Sequence, residues 1–171
     1  MNRDYKGAEA QGGNIMSHTI GMIVSGFPGV GKTSAASKNR DIEDCESSSF
    51  HYTTKVDALG VMTREENPNW VTEYVDHIKK LASIVGYPYI LVSSHADVLD
   101  EMDRRGLPYL IVAPRRDAKD VYLSRYLKRG DCVAFIRNIA QHWDEWLDAL
   151  DKRDAPVIHL DANQVLADIL P

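Results

Sequence analysis

The stretch Gly26-Phe27-Pro28-Gly29-Val30-Gly31-Lys32-Thr33 fits the pattern G-x-x-x-x-G-K-[ST]. Each fixed position has a physical task. Glycines let the backbone curl until successive N–H groups point inward at phosphate oxygens. A helix opening at Lys32 aims its positive dipole end at the same anion. Lys32 can reach β- and γ-phosphates, and the Thr33 hydroxyl can ligate Mg²⁺. Gly26 through Thr33, with Ser34 following, are therefore the candidate residues for holding a nucleotide.

A second group of chemically able residues follows. Asp41, Glu43, Asp44 and Glu46 lie close together, ahead of Ser47-Ser48-Ser49. If Asp41–Asp44 runs beside the first strand, its carboxyl end lies next to the phosphate loop, the edge where ligands sit in open α/β sheets. A carboxylate there can hold a Mg²⁺-bound water or accept a proton. Asp44 is the first candidate for this catalytic and metal-supporting role, and Glu46 the second. The alternative is a solvated acidic turn. No Asp directly ends the later strand Tyr89–Val92; Ser93-Ser94-His95 stands there instead. Ser93 or Ser94 can hold a metal-bound water, or the role falls to Asp44. His95 reads as a helix-start residue.

The third group is basic. Arg115-Arg116 precedes a helical stretch with Lys119, Arg125, Lys128 and Arg129. Tyr122, Arg125 and Arg129 share one helix face by their spacing. Arginines can neutralise the charge that spreads over a moving phosphoryl group. Arg125 and Arg129 are thus candidate catalytic residues on a lid formed by Tyr122–Asp131, with Arg137 a third candidate. The competing reading is a solvated charged face. Arg64, in an irregular segment, can close over an acceptor phosphate.

These groups need a frame that brings them to one edge. Ile20–Ser25 reads as a buried strand, Lys32–Lys38 as a short helix and Asp41–Glu46 as a weaker strand. Residues 51–69 carry Gly60, Pro68 and many polar groups and read as loop, with room for a helical turn. Trp70, Val71, Tyr74, Val75, Ile78, Leu81, Ala82 and Val85 recur at helical spacing, and Gly86 and Pro88 end that helix. Tyr89–Ser93, Tyr109–Val112 and Val157–Leu160 read as strands. His95–Arg105, Asp117–Arg129 and Val133–Lys152 read as helices, with Trp143 and Trp146 as core and rim. Short apolar strands alternating with amphipathic helices predict an α/β domain with a parallel sheet.

The chain has 171 residues, enough for one domain with a sizeable core. The expected division is a flexible tail over 1–18, with Met16 as an alternative start, and a single domain over 19–171. Lys and Arg number 20 against 25 Asp and Glu, a net charge of −5. That balance argues against a dedicated nucleic-acid partner. The two cysteines, Cys45 and Cys132, are too few for a disulfide framework. No apolar run approaches the roughly 20 residues that span a bilayer. The expectation is a soluble cytoplasmic protein, monomeric or homodimeric, with no membrane partner.

The stretches VSGFPGVGKT, DCESSSF, NPNWVTEYVDHIKKL, ILVSSHADV, GLPYLIVAPRRDAKDVYLSRYLKRGD and FIRNIAQHWDEWL, in that order, resemble small P-loop kinases of the nucleoside monophosphate kinase type. The nearest resemblance is to phage- and prophage-encoded deoxynucleoside monophosphate kinase-like proteins, which implies a host cytoplasm. The resemblance covers most of Ile20 to Leu150. It implies the three-layer P-loop NTPase fold, a five-stranded parallel sheet with helices on both faces, and ATP with Mg²⁺ as the phosphoryl donor. It places Lys32 and Thr33 on the donor phosphates and metal, Asp44 at the acidic position after the second strand, and Arg125 and Arg129 at lid-type positions. The implied acceptor is a nucleoside or deoxynucleoside monophosphate. Two rivals remain open: a P-loop kinase for another small acceptor, and a nucleotide-binding switch.

Overall fold

A computed structural model describes residues 21–84 and 86–170. The expected tail over 1–18, together with Ile20 and Val85, lies outside the described residues.

Strands β1 (Met22–Gly26), β2 (Ile42–Asp44), β5 (Tyr89–Ser93), β6 (Tyr109–Pro114) and β7 (Val157–Leu160) form one parallel sheet in the order β2-β5-β1-β6-β7. Helices α1 (Lys32–Lys38), α2 (Trp70–Ala82), α3 (Ala96–Arg104), α4 (Lys119–Arg129) and α5 (Val133–Asp151) flank it. The chain has the P-loop NTPase-like α/β fold expected from its sequence.

Strands β5 and β6 form where the sequence is continuously apolar. Ile90, Leu91 and Val92 of β5 and Ile111, Val112 and Ala113 of β6 are fully buried. That is the signature of strands covered on both faces. Helix α2 buries Tyr74, Val75, Ile78 and Leu81, three and four apart, and leaves Lys79 and Lys80 in its last turn. It ends at Ala82, short of the expected boundary. β2 and β5 lie on one side of β1, and β6 and β7, which follow them in the chain, lie on the other, so the strand order reverses at β1 and the crevice at its carboxyl end is the topological switch point.

The segment expected as loop over 51–69 is instead a hairpin. Strands β3 (Tyr52–Val56) and β4 (Met62–Glu66) pair antiparallel as a separate sheet. All ten residues of these strands are exposed. With neither face buried, the sequence carries no apolar alternation. What closes the hairpin is local chemistry. Asp57 Oδ1 accepts the Leu59 and Val61 amides at the turn, and Gly60 adopts φ 81°. The Lys55–Glu65 ion pair and Arg64 lying 3.9 Å over the Tyr52 ring link the strands. At the stem, buried Asn67 donates to Phe50 O and Glu73 Oε2, while its amide donates to His51 O.

Candidate active site

The phosphate loop leaves β1 at Gly26 and enters α1 at Lys32. Gly29 and Gly31 take φ 82° and 96°, left-handed conformations that a side chain resists. A Cβ at Gly29 would stand 2.7 Å from Tyr126 Cε1. The loop is held from three sides. Phe27 N–H donates to Val112 O on β6, Tyr126 OH on α4 donates to Pro28 O at 2.7 Å, and Leu166 N–H donates to Val30 O. Phe27 and Val30, counted among the nucleotide-binding candidates, turn their side chains into the core. Phe27 meets Trp143 edge-on at 5.4 Å. These two anchor the loop, and any contact they make with a phosphate is through the backbone.

The N-cap of α1 is Gly31, which has no side chain to cap the helix. The first-turn amides are therefore available to an anion. Lys32 Nζ donates to Gly26 O at 2.8 Å, curled back over the loop. Burial pushes its ammonium below the ordinary value; Asp44 and Glu46 oppose that, and Arg129 adds to it. A phosphate would supply the countercharge that burial makes this lysine need.

Thr33 Oγ1 donates to Asp44 Oδ2 at 2.7 Å. Asp44 Oδ1 and Ser93 Oγ are buried without a hydrogen-bond partner. A buried orphan carboxylate oxygen beside a hydroxyl suits Mg²⁺, which takes one or two protein oxygens and completes its shell with water and phosphate. Thr33 would hold the ion directly and Asp44 would hold it or its water. Among the described residues no group of three or more His, Cys, Asp or Glu gathers to bind a metal alone.

Loop and α1 floor a cavity of about 570 Å³. The neighbouring strand ends complete its lining: Cys45, Glu46 and Ser47 after β2, Ser93 at the end of β5, and Ser94 and His95 after it. Tyr74 ties these two strand ends together: its hydroxyl donates to Cys45 O at 2.5 Å and accepts the Ser93 amide at 3.1 Å. This tie spans three elements, and the helical periodicity of α2 did not signal it. Burial pushes the Cys45 thiol up to about 12, partly offset by Tyr74 and reinforced by the neighbouring carboxylates. Beyond His95 lies an aromatic group: Trp70 meets His95 at 5.9 Å and stacks on His51 at 3.8 Å.

The candidate arginines part company. Arg129 lines the cavity, pairs with Asp131 and lies 5.5 Å over the Tyr126 ring. Arg125 turns away: it donates to Ala162 O, lies 4.7 Å over Tyr122 and lines a separate hollow of about 460 Å³. The expected lid over Tyr122–Asp131 is helix α4 and the turn after it, with Tyr122 and Tyr126 fully buried. Those two tyrosines, four apart, fix the helix as a wall. Arg137 is exposed on α5 and lines neither cavity.

No protein-family model matches the chain, and no curated protein does. Among solved structures, the tunicamycin resistance protein of Deinococcus radiodurans is similar, with a TM-score of 0.52 and 20% identity over 87% of this chain and 91% of that one. At that identity the likeness concerns the fold. It lends no support to the narrower resemblance to phage-type deoxynucleoside monophosphate kinases. No helix among the described residues is long and apolar enough to cross a membrane.

Proposed function

We propose that the protein is a phosphotransferase that moves the γ-phosphoryl group of ATP, with Mg²⁺, to a small acceptor. The observation that carries this reading is the uncapped loop and helix start at Gly29–Thr33, with Lys32 curled over it and Asp44 hydrogen-bonded to Thr33 at 2.7 Å. Loop amides and Lys32 hold the β- and γ-phosphates, and Arg129 faces the same cavity to neutralise the group in transit. Thr33 and Asp44 would hold Mg²⁺, which would offset the charge that develops on the transferred group.

The polar side chains that line the cavity beyond the loop support transfer to an acceptor in preference to a hydrolytic switch. Besides the loop, the cavity is lined by Glu46, Ser47, Ser94 and His95, polar side chains that can meet an acceptor, and His95 is in turn 5.9 Å from Trp70. The resemblance names a nucleoside monophosphate as acceptor; the rival is another small molecule. The test is ADP formation from Mg-ATP across ribo- and deoxynucleoside monophosphates and unphosphorylated small molecules, with Lys32→Ala as control. Acceptor-stimulated ADP release, lost at least about a hundredfold in the variant, is expected. ATP binding with no stimulation by any acceptor would leave the switch.

A further inference from the structure

Hydrogen bonds in a parallel ladder are evenly spaced, so two of them fix where the next belongs. Along β2 and β5 the Tyr89 N–H donates to Asp41 O at 3.2 Å and the Cys45 N–H donates to Leu91 O at 2.8 Å, with Asp44 opposite Leu91. The next rung of that ladder would run from the Ser93 N–H to Cys45 O. A relay stands in its place. The Ser93 N–H donates to the Tyr74 hydroxyl at 3.1 Å, and that hydroxyl donates to Cys45 O at 2.5 Å. Two partners of one hydroxyl oxygen stand roughly 4–5 Å apart, against about 2.9 Å for a direct bond. A side chain of α2 has thus entered the sheet edge, and β2 ends at Asp44, where it enters.

The point of entry adjoins the oxygens that suit a metal. Ser93 keeps its register with Gly26 of β1, so the end of β2 is the part held off. Asp44 immediately precedes the relay; its Oδ2 accepts from Thr33, and its Oδ1 is buried without a partner. Ser93, whose Oγ is also buried without a partner, lies two residues after Leu91, so its side chain leaves the same face of the sheet as Asp44. Cys45 and Ser93, the two ends of the relay, both line the cavity. The hydroxyl has no room to retreat. Tyr74 is fully buried with its ring 5.2 Å from Phe50, and Arg105 pins α2 on both sides of it, donating to Thr72 O at 3.4 Å and to Asp76 Oδ1 at 2.5 Å. Burial pushes the Tyr74 phenol well above its ordinary value, reinforced by Cys45 and opposed by the bonds to Ser93, so the hydroxyl keeps the proton that it donates.

We infer that Tyr74 is a positioning residue for the metal site: its hydroxyl is a wedge that holds the end of β2 off β5, keeping Asp44 turned to Thr33 and the corner between Cys45 and Ser93 open. The inference rests on the phosphotransferase reading above, in which Thr33 and Asp44 hold Mg²⁺, and it adds a residue that acts on that site through the backbone. Without the hydroxyl, the Ser93 N–H and Cys45 O both lose a partner, and the direct rung is the bond open to them. Making that rung draws Cys45 toward Ser93 and carries Asp44 with it. Loss of such outer support for a metal's ligands costs about 10–100-fold in affinity.

The test is Tyr74→Phe, which keeps the ring and removes the hydroxyl. A non-hydrolysable ATP analogue is titrated calorimetrically into the protein with Mg²⁺ in excess, and again in EDTA. The ratio of the two affinities reports the metal's contribution without turnover, and a general loss of folded protein cancels from it. Tyr109→Phe is the control, because its hydroxyl donates to Asp103 and it does not line the cavity. The expected result is that the enhancement by Mg²⁺ narrows about tenfold in Tyr74→Phe and is unchanged in Tyr109→Phe. A crystal structure of Tyr74→Phe should show Ser93 N within about 3 Å of Cys45 O. An unchanged enhancement in Tyr74→Phe, an equal narrowing in both variants, or strand ends still apart in the crystal overturns the inference and leaves the phosphotransferase reading intact. A wild-type protein that gains no affinity for the analogue from Mg²⁺ overturns that reading and the inference together.

Discussion

Replacing Gly29 by alanine tests the rigidity of the phosphate loop, and the structure provides its own control. Gly29 and Gly60 take nearly the same conformation, φ 82° and 81°. A Cβ at Gly60 meets nothing within 4 Å, whereas at Gly29 it meets Tyr126 Cε1 at 2.7 Å and the ring's Cζ and OH at 3.2 Å. The left-handed conformation costs an ordinary residue roughly 1–2 kcal/mol at either position. Only Gly29 adds overpacking, worth about 1–3 kcal/mol where the neighbour cannot retreat. Tyr126 is such a neighbour: it is fully buried, its ring meets Phe135 at 5.4 Å, and its hydroxyl is committed to Pro28 O. Gly29→Ala should therefore lose about 2–5 kcal/mol and Gly60→Ala about 1–2 kcal/mol. Gly31→Ala, whose Cβ would stand 3.5 Å from Val165 Cβ, should fall near Gly60→Ala. Urea unfolding reads the series directly, because a slope of about 1–3 kcal/mol/M turns the Gly29 loss into a midpoint shift on the order of 1 M or more. If Gly29→Ala falls no further than Gly60→Ala, the Tyr126 clamp yields and the argument for a rigid loop is wrong.

Other outcomes follow from the same geometry. Asp44→Asn should raise the Mg²⁺ concentration for half-maximal activity by about tenfold or more while leaving the urea midpoint level or higher, because Asp44 Oδ1 is a buried oxygen with no partner; an unchanged Mg²⁺ requirement would remove Asp44 from the metal's surroundings. Iodoacetamide at pH 8 should label exposed Cys132 and spare Cys45, whose thiol is pushed up to about 12, so mass spectrometry should find a single alkylation on the folded chain and a double one in urea. By linkage, the unfolded Cys45 thiol ionises near its ordinary 9.0 and the folded one does not. Its stabilising contribution is full below pH 9 and declines as pH rises from there toward 12, which urea midpoints at pH 8 and 10 would detect. Replacing residues 53–65 by a short turn should change stability by no more than about 0.5 kcal/mol, since β3 and β4 bury nothing; a large loss would mean the hairpin packs on the domain.

The loop pattern and the core strands were legible in the sequence because both are local. Glycine conformation, the lysine and the hydroxyl of Gly26–Thr33 act within one turn of chain, and a run such as Ile90–Val92 states its burial in its own composition. The placement of Asp44 was also within reach, because β2 ends beside the loop once it joins the sheet. The hairpin was not legible, because strands with two wet faces have no alternation to read. Arg125 and Arg129 look alike in sequence, four apart on one helix. The burial of Tyr122 and Tyr126 fixes the rotation of α4, sending Arg129 to the cavity and Arg125 to Ala162. The Tyr74 tie between the ends of β2 and β5, and the shared cavity that their end residues line with the loop, arise only when residues dozens of positions apart converge at one sheet edge. The sequence by itself determined that a phosphate loop opens an α/β domain, since those signals are short-range. Which side chains face that loop was decided by the packing of helices on the sheet, which couples distant segments through burial that no local pattern records.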